Sequence, residues 1–305
     1  MQTDFYAFGE ILWDCLPSGR HAGGAPFNVA AHLAQLGAST SLLSSVGQDA
    51  LGNEILRVAG DKNVSTALVA RSRAGLPTGT VIATLDPKGN ATYEIVQPVA
   101  WDEITIPDHA LPVIASSRGV IFGSLAARSA HNLEQLNRLL ALKGVMKFFD
   151  VNLRGPFINP PLVINLAKRS DVIKLNDDEV GRLAAWLQTG ELKFETPRTN
   201  DALLSACSAL AEVTFAKRIC VTRGANGAAL WENGSLICIP APPVVVKDTV
   251  GAGDAFMAGL TLGISNGMEI RSVLEHACRL GAFVASHYGA TPIFPPELLT
   301  PAKAA

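Results

Sequence analysis

Asp248-Thr249-Val250-Gly251-Ala252-Gly253-Asp254-Ala255-Phe256 sets two carboxylates and two glycines between an apolar run, Pro242–Val246, and a stretch of small apolar residues, Ala255–Gly263. Glycines let the backbone pass close to a ligand, and the N-terminus of the helix predicted from Ala255 aims free N–H groups at whatever sits there. Such a loop is an anion hole suited to the charge on a transferring phosphoryl group. Asp254, in the first turn, can accept a proton from a nucleophile held beside it. The same residues also make an ordinary Gly-bearing turn capped by Asp248 and Asp254, and spacing alone does not separate the two readings.

Other polar residues fall where a ligand could reach them. In Gly23-Gly24-Ala25-Pro26-Phe27-Asn28-Val29-Ala30 the glycines precede a helix that Pro26 starts. Asn28 points from its first turn towards the mouth of a sheet, or is simply exposed there. Asp150, Asn152 and Arg154 alternate after an apolar strand, so all three could leave on one face. Arg154 suits a phosphate or sugar, or is a solvated charge. Asn176 and Glu179 have the spacing of a helix capping box. Thr222 and Gly224 end a further strand and approach a nucleotide phosphate, or make a plain turn with Gly227. There is no Gly-Lys pair for a P-loop, and Phe256 stands where a dinucleotide fingerprint needs its third glycine. Gly263-x-Ser265-x-Gly267 ends a helix, so it is no nucleophile elbow.

The elements that must position these residues alternate. Strands are predicted at Phe5–Gly9, Glu10–Leu16, Ser39–Val46, Val120–Phe122, Lys147–Val151, Val172–Leu175 and Ile219–Thr222, with a polar turn at Pro17–His21. Helices are predicted at Pro26–Leu36, Asp49–Lys62, Asn132–Leu142, Pro161–Lys168, Asp178–Leu187, Asp201–Ala216, Ala255–Asn266 and Ile270–Ser286, with a polar surface excursion at Gln188–Asn200. Thr78–Leu85 and Thr92–Val96, joined by a hairpin turn at Asp86–Asn90, break the alternation, as does Ala228–Trp231 with Leu236–Ile239. The pattern implies an α/β fold: a doubly wound, mostly parallel sheet with helices on both faces, plus a small β-sheet lid. Residues 1–10, 23–75 and 102–305 form the core in this reading, and 11–22 and 76–101 the lid, with Gly23-Gly24 as hinge. Ligands of such sheets bind at the carboxyl ends of the strands, where Asp248–Phe256, Asp150-Val151-Asn152 and Thr222 fall.

Composition narrows the function. The 305 residues can bury a large core, and a net charge of −2 without a basic run argues against nucleic acid as a partner. The five cysteines are scattered without a CxxC, as small core residues of a reducing compartment would be. No basic region precedes an apolar segment near Asp4, and no apolar run reaches the roughly 20 residues that cross a bilayer. A cytoplasmic protein, with no membrane partner, is expected.

Four motifs, in one order along nearly the whole chain, resemble those of the ribokinase-type (PfkB family) sugar kinases: Gly23–Ala30, Asn176-Asp177-Asp178-Glu179, Val221-Thr222-Arg223-Gly224 with Gly227, and Asp248–Phe256. The resemblance implies a ribokinase-like fold and transfer of phosphate from ATP, with Mg²⁺, to a sugar hydroxyl. It implies that Asp14, Gly23, Gly24, Asn28 and Arg154 hold the sugar, that Asp254 is the base, and that Gly251, Ala252 and Gly253 are the anion hole. Thr222, Gly224 and Gly227 would lie by ATP, and Asn176 and Glu179 would organise phosphate and magnesium, Glu179 through bound water. A monovalent cation (K⁺) near Asp248 and Thr249 is a further family expectation, and the exposed edges of the lid sheet suit a homodimer. Gly-Gly-Ala-Pro-x-Asn28, Ala100-Trp101-Asp102, Phe122-Gly123-Ser124-Leu125 and Asp150-x-Asn152-Leu153-Arg154 look most like fructokinases, so fructose is the expected acceptor. The alternatives are 2-keto-3-deoxygluconate, ribose or a nucleoside as acceptor, a silent sugar-binding regulator on the same fold, or an unrelated doubly wound domain. Two residues depart from the family pattern: Phe27, where a small residue is frequent and pocket size is at stake, and Val151, where proline is frequent.

Overall fold

Short apolar runs bracketed by glycine or polar residues become strands here, and amphipathic stretches between them become helices. The computed structural model describes residues 3–16, 19–85, 91–188 and 195–300. In its first part β1 (Phe5–Phe8), β2 (Leu12–Leu16) and β3 (Gly19–Gly23) lead to α1 (Ala25–Gln35), β4 (Thr40–Val46) and α2 (Ala50–Asp61). β5 (Val64–Ser65), β6 (Val69–Arg71), β7 (Thr80–Leu85), β8 (Ala91–Ile95) and α3 (Leu111–Ala115) follow. Strand and helix then alternate through β9 (Gly119–Gly123), α4 (Ala130–Leu140), β10 (Met146–Asp150), α5 (Pro160–Ala167), β11 (Val172–Asn176) and α6 (Asp177–Gln188). The chain ends with α7 (Asn200–Thr214), β12 (Arg218–Thr222), β13 (Ala228–Glu232), β14 (Ser235–Ile239), α8 (Ala252–Ser265) and α9 (Ile270–Ala285).

The central sheet has the order β14-β13-β12-β11-β10-β9-β1-β4-β5, with β6 also on β4. Pairing is parallel from β12 through to β5 and β6, and β13 and β14 add an antiparallel hairpin at one edge. From β1 the chain winds out through β4, then returns to β9 on the other side of β1, so a crevice opens where the two halves diverge. Neighbouring residues of each strand face opposite layers. Phe122 and Phe149 pack beneath Leu136, Leu183 and Leu210, whereas Ile121 and Phe148 pack beneath Leu33, Met257 and Leu274. Small residues let α8 sit close to α9: a Cβ on Gly259 would lie 2.8 Å from Leu280 Cδ1, and one on Gly263 2.8 Å from Val273 Cγ2.

A separate four-stranded sheet has the order β3-β2-β7-β8. Its β3 stands where the sequence suggests a polar turn, because Gly19-Arg20-His21-Ala22-Gly23 carries neither β-branched nor aromatic residues. Pairing with β2, Leu12 opposite Gly23 through Leu16 opposite Gly19, makes it a strand; tertiary context overrides weak propensity. The predicted strand Glu10–Leu16 starts only at Leu12, leaving Glu10 in the connection. Helix α8 begins at Ala252, three residues before the predicted start, so the Gly-Ala-Gly segment is its first turn. Leu111–Ala115 is a short helix that the periodicity does not signal. The hairpin turn expected at Asp86–Asn90 and residues 189–194 of the Gln188–Asn200 excursion lie outside the described residues.

Where the chain returns from the second sheet, a buried ion pair anchors it. Arg128 Nε and Nη2 donate to Asp102 Oδ1 and Oδ2 at 2.8 and 2.9 Å, and the Val99 N–H donates to Oδ2 at 3.0 Å. The guanidinium is layered against Trp101 and Phe157, 3.9 and 4.5 Å from their ring centroids. Removing one partner of a buried pair leaves the other uncompensated, at a cost of about 3–5 kcal/mol. Arg128→Met is therefore expected to lower the unfolding free energy by about that amount in urea titrations. A loss under about 1 kcal/mol, the scale of exposed pairs, would show that Asp102 is solvated instead.

Candidate active site

The first turn of α8 is shaped by one glycine. Gly251 is the N-cap with φ +80°, and a Cβ there would overlap Ala290 O and lie 2.6 Å from Ala290 Cα. Both the left-handed backbone and the close approach require glycine. Ahead of it, Asp248 Oδ1 accepts the Val250 N–H at 3.0 Å and Oδ2 the Gly289 N–H at 3.1 Å, so this carboxylate orders the loop. Thr249 is exposed, and its carbonyl accepts the Ala252 N–H at 3.2 Å. The N–H groups of Ala252, Gly253 and Asp254 belong to the turn that a helix leaves without i−4 partners.

Asn28 meets Asp254 here. Asn28 Nδ2 donates to Asp254 Oδ2 at 2.8 Å, joining residues 226 positions apart. Asn28 is placed by the start of α1, whose N-cap Gly24 has φ +108° and packs so closely that a Cβ would overlap Glu10 O. Gly23 ends β3, where a Cβ would collide with Asp14 Oδ2. Glycine at 24 is thus set by its positive φ and the approach of the Glu10 backbone, whereas at 23 the close atom is the end of the Asp14 side chain, which can turn aside. Phe27 is fully buried with Ile11, Trp13, Leu42 and Ile55, so its bulk fills the core beside Asn28 and not the crevice.

Three carboxyls gather at this crevice. Asp254 is pushed up to about 6, chiefly by burial, against the hydrogen bond from Asn28 and the charges of Lys174 and Arg154. Burial raises Glu10 to about 7, opposed by its own N–H, the Arg154 charge and the Ala25 N–H, 3.3 Å from Oε1. Asp14 is also raised by burial, opposed by His21 and Arg154. Arg154 lies exposed at the rim, and its charge favours the ionised form of all three. The expected alternation of Asp150, Asn152 and Arg154 is broken: Asn152 turns at φ +40°, and Asp150 is buried.

A second cluster flanks the other side of α8. Lys174 Nζ donates to both oxygens of Asp150 at 3.0 Å, with both side chains buried. Burial pulls the Lys174 pKa down, but Asp150 and Glu179 outweigh it, so the ammonium stays charged. A Cβ on Gly253 would lie 3.2 Å from Lys174 Nζ, which places this charge against the first turn of α8. Asn176 and Glu179 form the capping box: Asn176 Oδ1 accepts the Glu179 N–H at 2.8 Å, and Glu179 Oε2 the Asn176 N–H at 2.9 Å. Glu179 Oε1 also accepts the Leu153 N–H at 2.7 Å, and burial and Asp150 raise its pKa against Lys174. Val151 donates its N–H to Lys174 O at 3.0 Å, a bond that a proline at this position lacks. Thr222 lies opposite Asn176 in the sheet and donates to Leu175 O at 3.3 Å. Gly224 (φ +52°) and Gly227 (φ +85°) close the next turn, where a Cβ on Gly227 would overlap Ile239 O.

Glu10 and Lys174 are missing from the sequence-level set. Glu10 reads as the start of a strand and Lys174 as a polar interruption of an apolar one. Each is an ionisable residue within or just after an otherwise apolar strand run, which is the signal that could have found them. Among the described residues no group of three or more His, Cys, Asp or Glu side chains could hold a metal ion, and no helix is long and apolar enough to cross a membrane.

A doubly wound α/β sheet with a small second sheet, and a carboxylate at a glycine-bearing helix N-terminus in its crevice, defines a ribokinase-like fold. Residues 12–297 match the pfkB family carbohydrate kinase model, and the chain belongs to that family. It is a carbohydrate kinase, a phosphotransferase. It is 28% identical over 276 residues to a putative sugar kinase, PH1459, of Pyrococcus horikoshii, covering 89% of this chain and 83% of that one. To a fructokinase of Klebsiella pneumoniae it is 27% identical over 281 residues, covering 87% and 85%. The structure of Arabidopsis thaliana ribokinase with ribose and ATP superposes with a TM-score of 0.80 over 98% of this chain and 99% of that one, at 22% identity.

A hydrogen bond to a carboxylate favours its ionised form. Asn28→Ala is therefore expected to raise the Asp254 pKa above about 6, measured by carbon-13 NMR of the aspartate carboxyls. An unchanged or lowered value would mean that the Asn28 amide does not govern this group.

Proposed function

We propose that this kinase transfers the γ-phosphoryl group of ATP to a hydroxyl of fructose, with Asp254 as the base. The observation that carries the reading is the Asn28–Asp254 hydrogen bond at the N-terminus of α8. It puts a carboxyl of raised pKa beside free helix N–H groups, in the crevice where the acceptor-side residues gather. Asp14, Gly23, Gly24, Asn28 and Arg154 hold the sugar, whose hydroxyl proton passes to Asp254 late, as the loose transition state forms. A base of modest strength suffices for such a transfer. The N–H groups of Gly251, Ala252 and Gly253 stabilise the charge on the moving phosphoryl group, and the Lys174 ammonium adds to the same field.

Thr222, Gly224 and Gly227 border the nucleotide, with Thr249 and the exposed Val244–Val246 offering it surface. The residues present suit a Mg²⁺ carried by nucleotide phosphates and water, since among the described residues no group of three or more carboxylates could ligate it directly. When bound, the ion neutralises charge on the phosphate oxygens; Asn176 and Glu179 orient its water shell. The four-stranded sheet, with residues 11–22 and 76–101, acts as a lid on the core formed by the rest, closing on Gly23-Gly24 and excluding water. Its edges serve a homodimer, and the loop ordered by Asp248 takes a monovalent cation.

The fructose assignment rests on the fructokinase-like motifs, supported by relatives of that name at modest identity. The second reading is another acceptor, ribose above all, favoured by the fold likeness to a ribose-bound ribokinase. ADP release from ATP·Mg²⁺ with fructose, glucose, ribose, 2-keto-3-deoxygluconate and adenosine separates the two. Turnover on fructose alone is expected; turnover on another member keeps the mechanism and discards the acceptor. Sugar binding without turnover, despite the intact Asp254 and Gly-Ala-Gly turn, would mark a regulator.

Two kinetic outcomes follow. Asp254→Asn is expected to lower kcat roughly 10²–10⁴-fold with little change in sugar affinity, the range that general bases supply. A variant that keeps more than about a tenth of the activity would remove Asp254 from this role. In the wild type kcat/KM is expected to fall as the pH drops through about 6, since protonating Asp254 removes the acceptor. A flat profile from pH 5 to 8 would contradict it.

A further inference from the structure

Helix α1 touches the N-terminal end of α8 by two routes. Asn28 makes the direct one, to Asp254. One turn later, on the same side of the helix, His32 Nε2 lies 3.0 Å from Ala290 O. The ring is fully buried and stacked on Phe294, with centroids 5.0 Å apart. Burial pushes its pKa down to about 4, so the imidazole is neutral near pH 7. A neutral ring facing a carbonyl oxygen must carry its proton on that nitrogen, so Nε2–H donates to Ala290 O.

The neighbouring residues hold the same segment. Gln35 Nε2 donates to Pro292 O at 3.1 Å while Gln35 Oε1 accepts the Phe294 N–H at 2.9 Å. Lys62, the C-cap of α2, donates to Thr291 O at 3.3 Å. Residues 290–294 therefore hang from the core by three side chains. Their first member is the wall against which Gly251 is packed, without room for a Cβ. A shift of Ala290 towards Gly251 presses on the first turn of α8, and a shift away removes its wall.

We propose that His32 is a positioning residue for phosphoryl transfer. By holding Ala290 against Gly251 it sets the spacing between the Asn28–Asp254 pair and the first-turn N–H groups of α8. His32 reaches neither sugar nor nucleotide and acts through Ala290 and Gly251 alone. The inference rests on the reading of Gly251–Gly253 as the anion hole. It assigns α1 two tasks, holding the acceptor through Asn28 and bracing the hole through His32.

The test uses the full chain and the acceptor that the panel identifies, with steady-state kinetics of His32→Leu, His32→Gln and Gln35→Met. Leucine fills the site without a donor, whereas the glutamine amide can still donate to Ala290 O. His32→Leu is expected to lower kcat about 10- to 100-fold, the scale of a misplaced reacting group, with the acceptor KM within about twofold. His32→Gln should recover most of it. Should His32→Leu fail to fold, Gln35→Met reads the same brace and is expected to lower kcat with KM unchanged. Wild-type kcat in a folded His32→Leu or in Gln35→Met would overturn the inference, as would equal losses in His32→Leu and His32→Gln. Asp254→Asn separates the two levels: if it retains activity, the reading of this turn as the reacting centre fails and this inference with it. If it is inactive while His32→Leu turns over normally, only the brace is wrong.

Discussion

One hydrogen bond between the start of the chain and its end organises the site. Asn28 on α1 and Asp254 on α8 lie 226 residues apart, yet the amide donates to the carboxylate at 2.8 Å. The bond requires both helices to start at the same crevice, and both do so by glycine N-caps with positive φ, Gly24 and Gly251. Each cap is pressed against another backbone, Glu10 for Gly24 and Ala290 for Gly251. Two helix N-termini thus converge on one small volume, whose field favours negative charge.

That field is needed because the crevice is rich in carboxyls. Burial alone drives Glu10, Asp14 and Asp254 towards their neutral forms, and each is opposed by a hydrogen bond, a cation or both. On the other side of α8 the Lys174 charge opposes the rise of Glu179, while Lys174 itself, in the middle of β11, is paired with Asp150. Asp254 is left near 6, ionised at neutral pH yet able to hold a proton, which neither a fully solvated nor a fully desolvated aspartate would be. The placement of charge, more than the identity of any one residue, is what the doubly wound sheet supplies, since the carboxyl ends of its strands and two helix starts share one edge.

The order of elements and the chemistry of the motifs are legible in the sequence. Apolar runs of strand length and amphipathic stretches between them follow from hydrophobic periodicity, which is local, and the described helices other than α3 begin and end within a few residues of those limits. The Gly-Ala-Gly-Asp stretch, Gly23-Gly24 and the Asn176–Glu179 box carry their meaning in residue type and spacing, because turn geometry and capping are decided within a few residues. Pairing, register and burial were left to the tertiary structure, because they depend on neighbours distant in sequence. Gly19–Gly23 is a strand only through β2, Phe27 turns its bulk to the core, and Asn152 breaks an alternation that would have aligned Asp150 with Arg154. Glu10, Lys174 and His32 gain their roles from what the fold sets against them. The sequence by itself determined which residue types could do chemistry and that they stand at strand ends and helix starts; only the tertiary structure decided which of them meet, since burial and contact are properties of the packed chain.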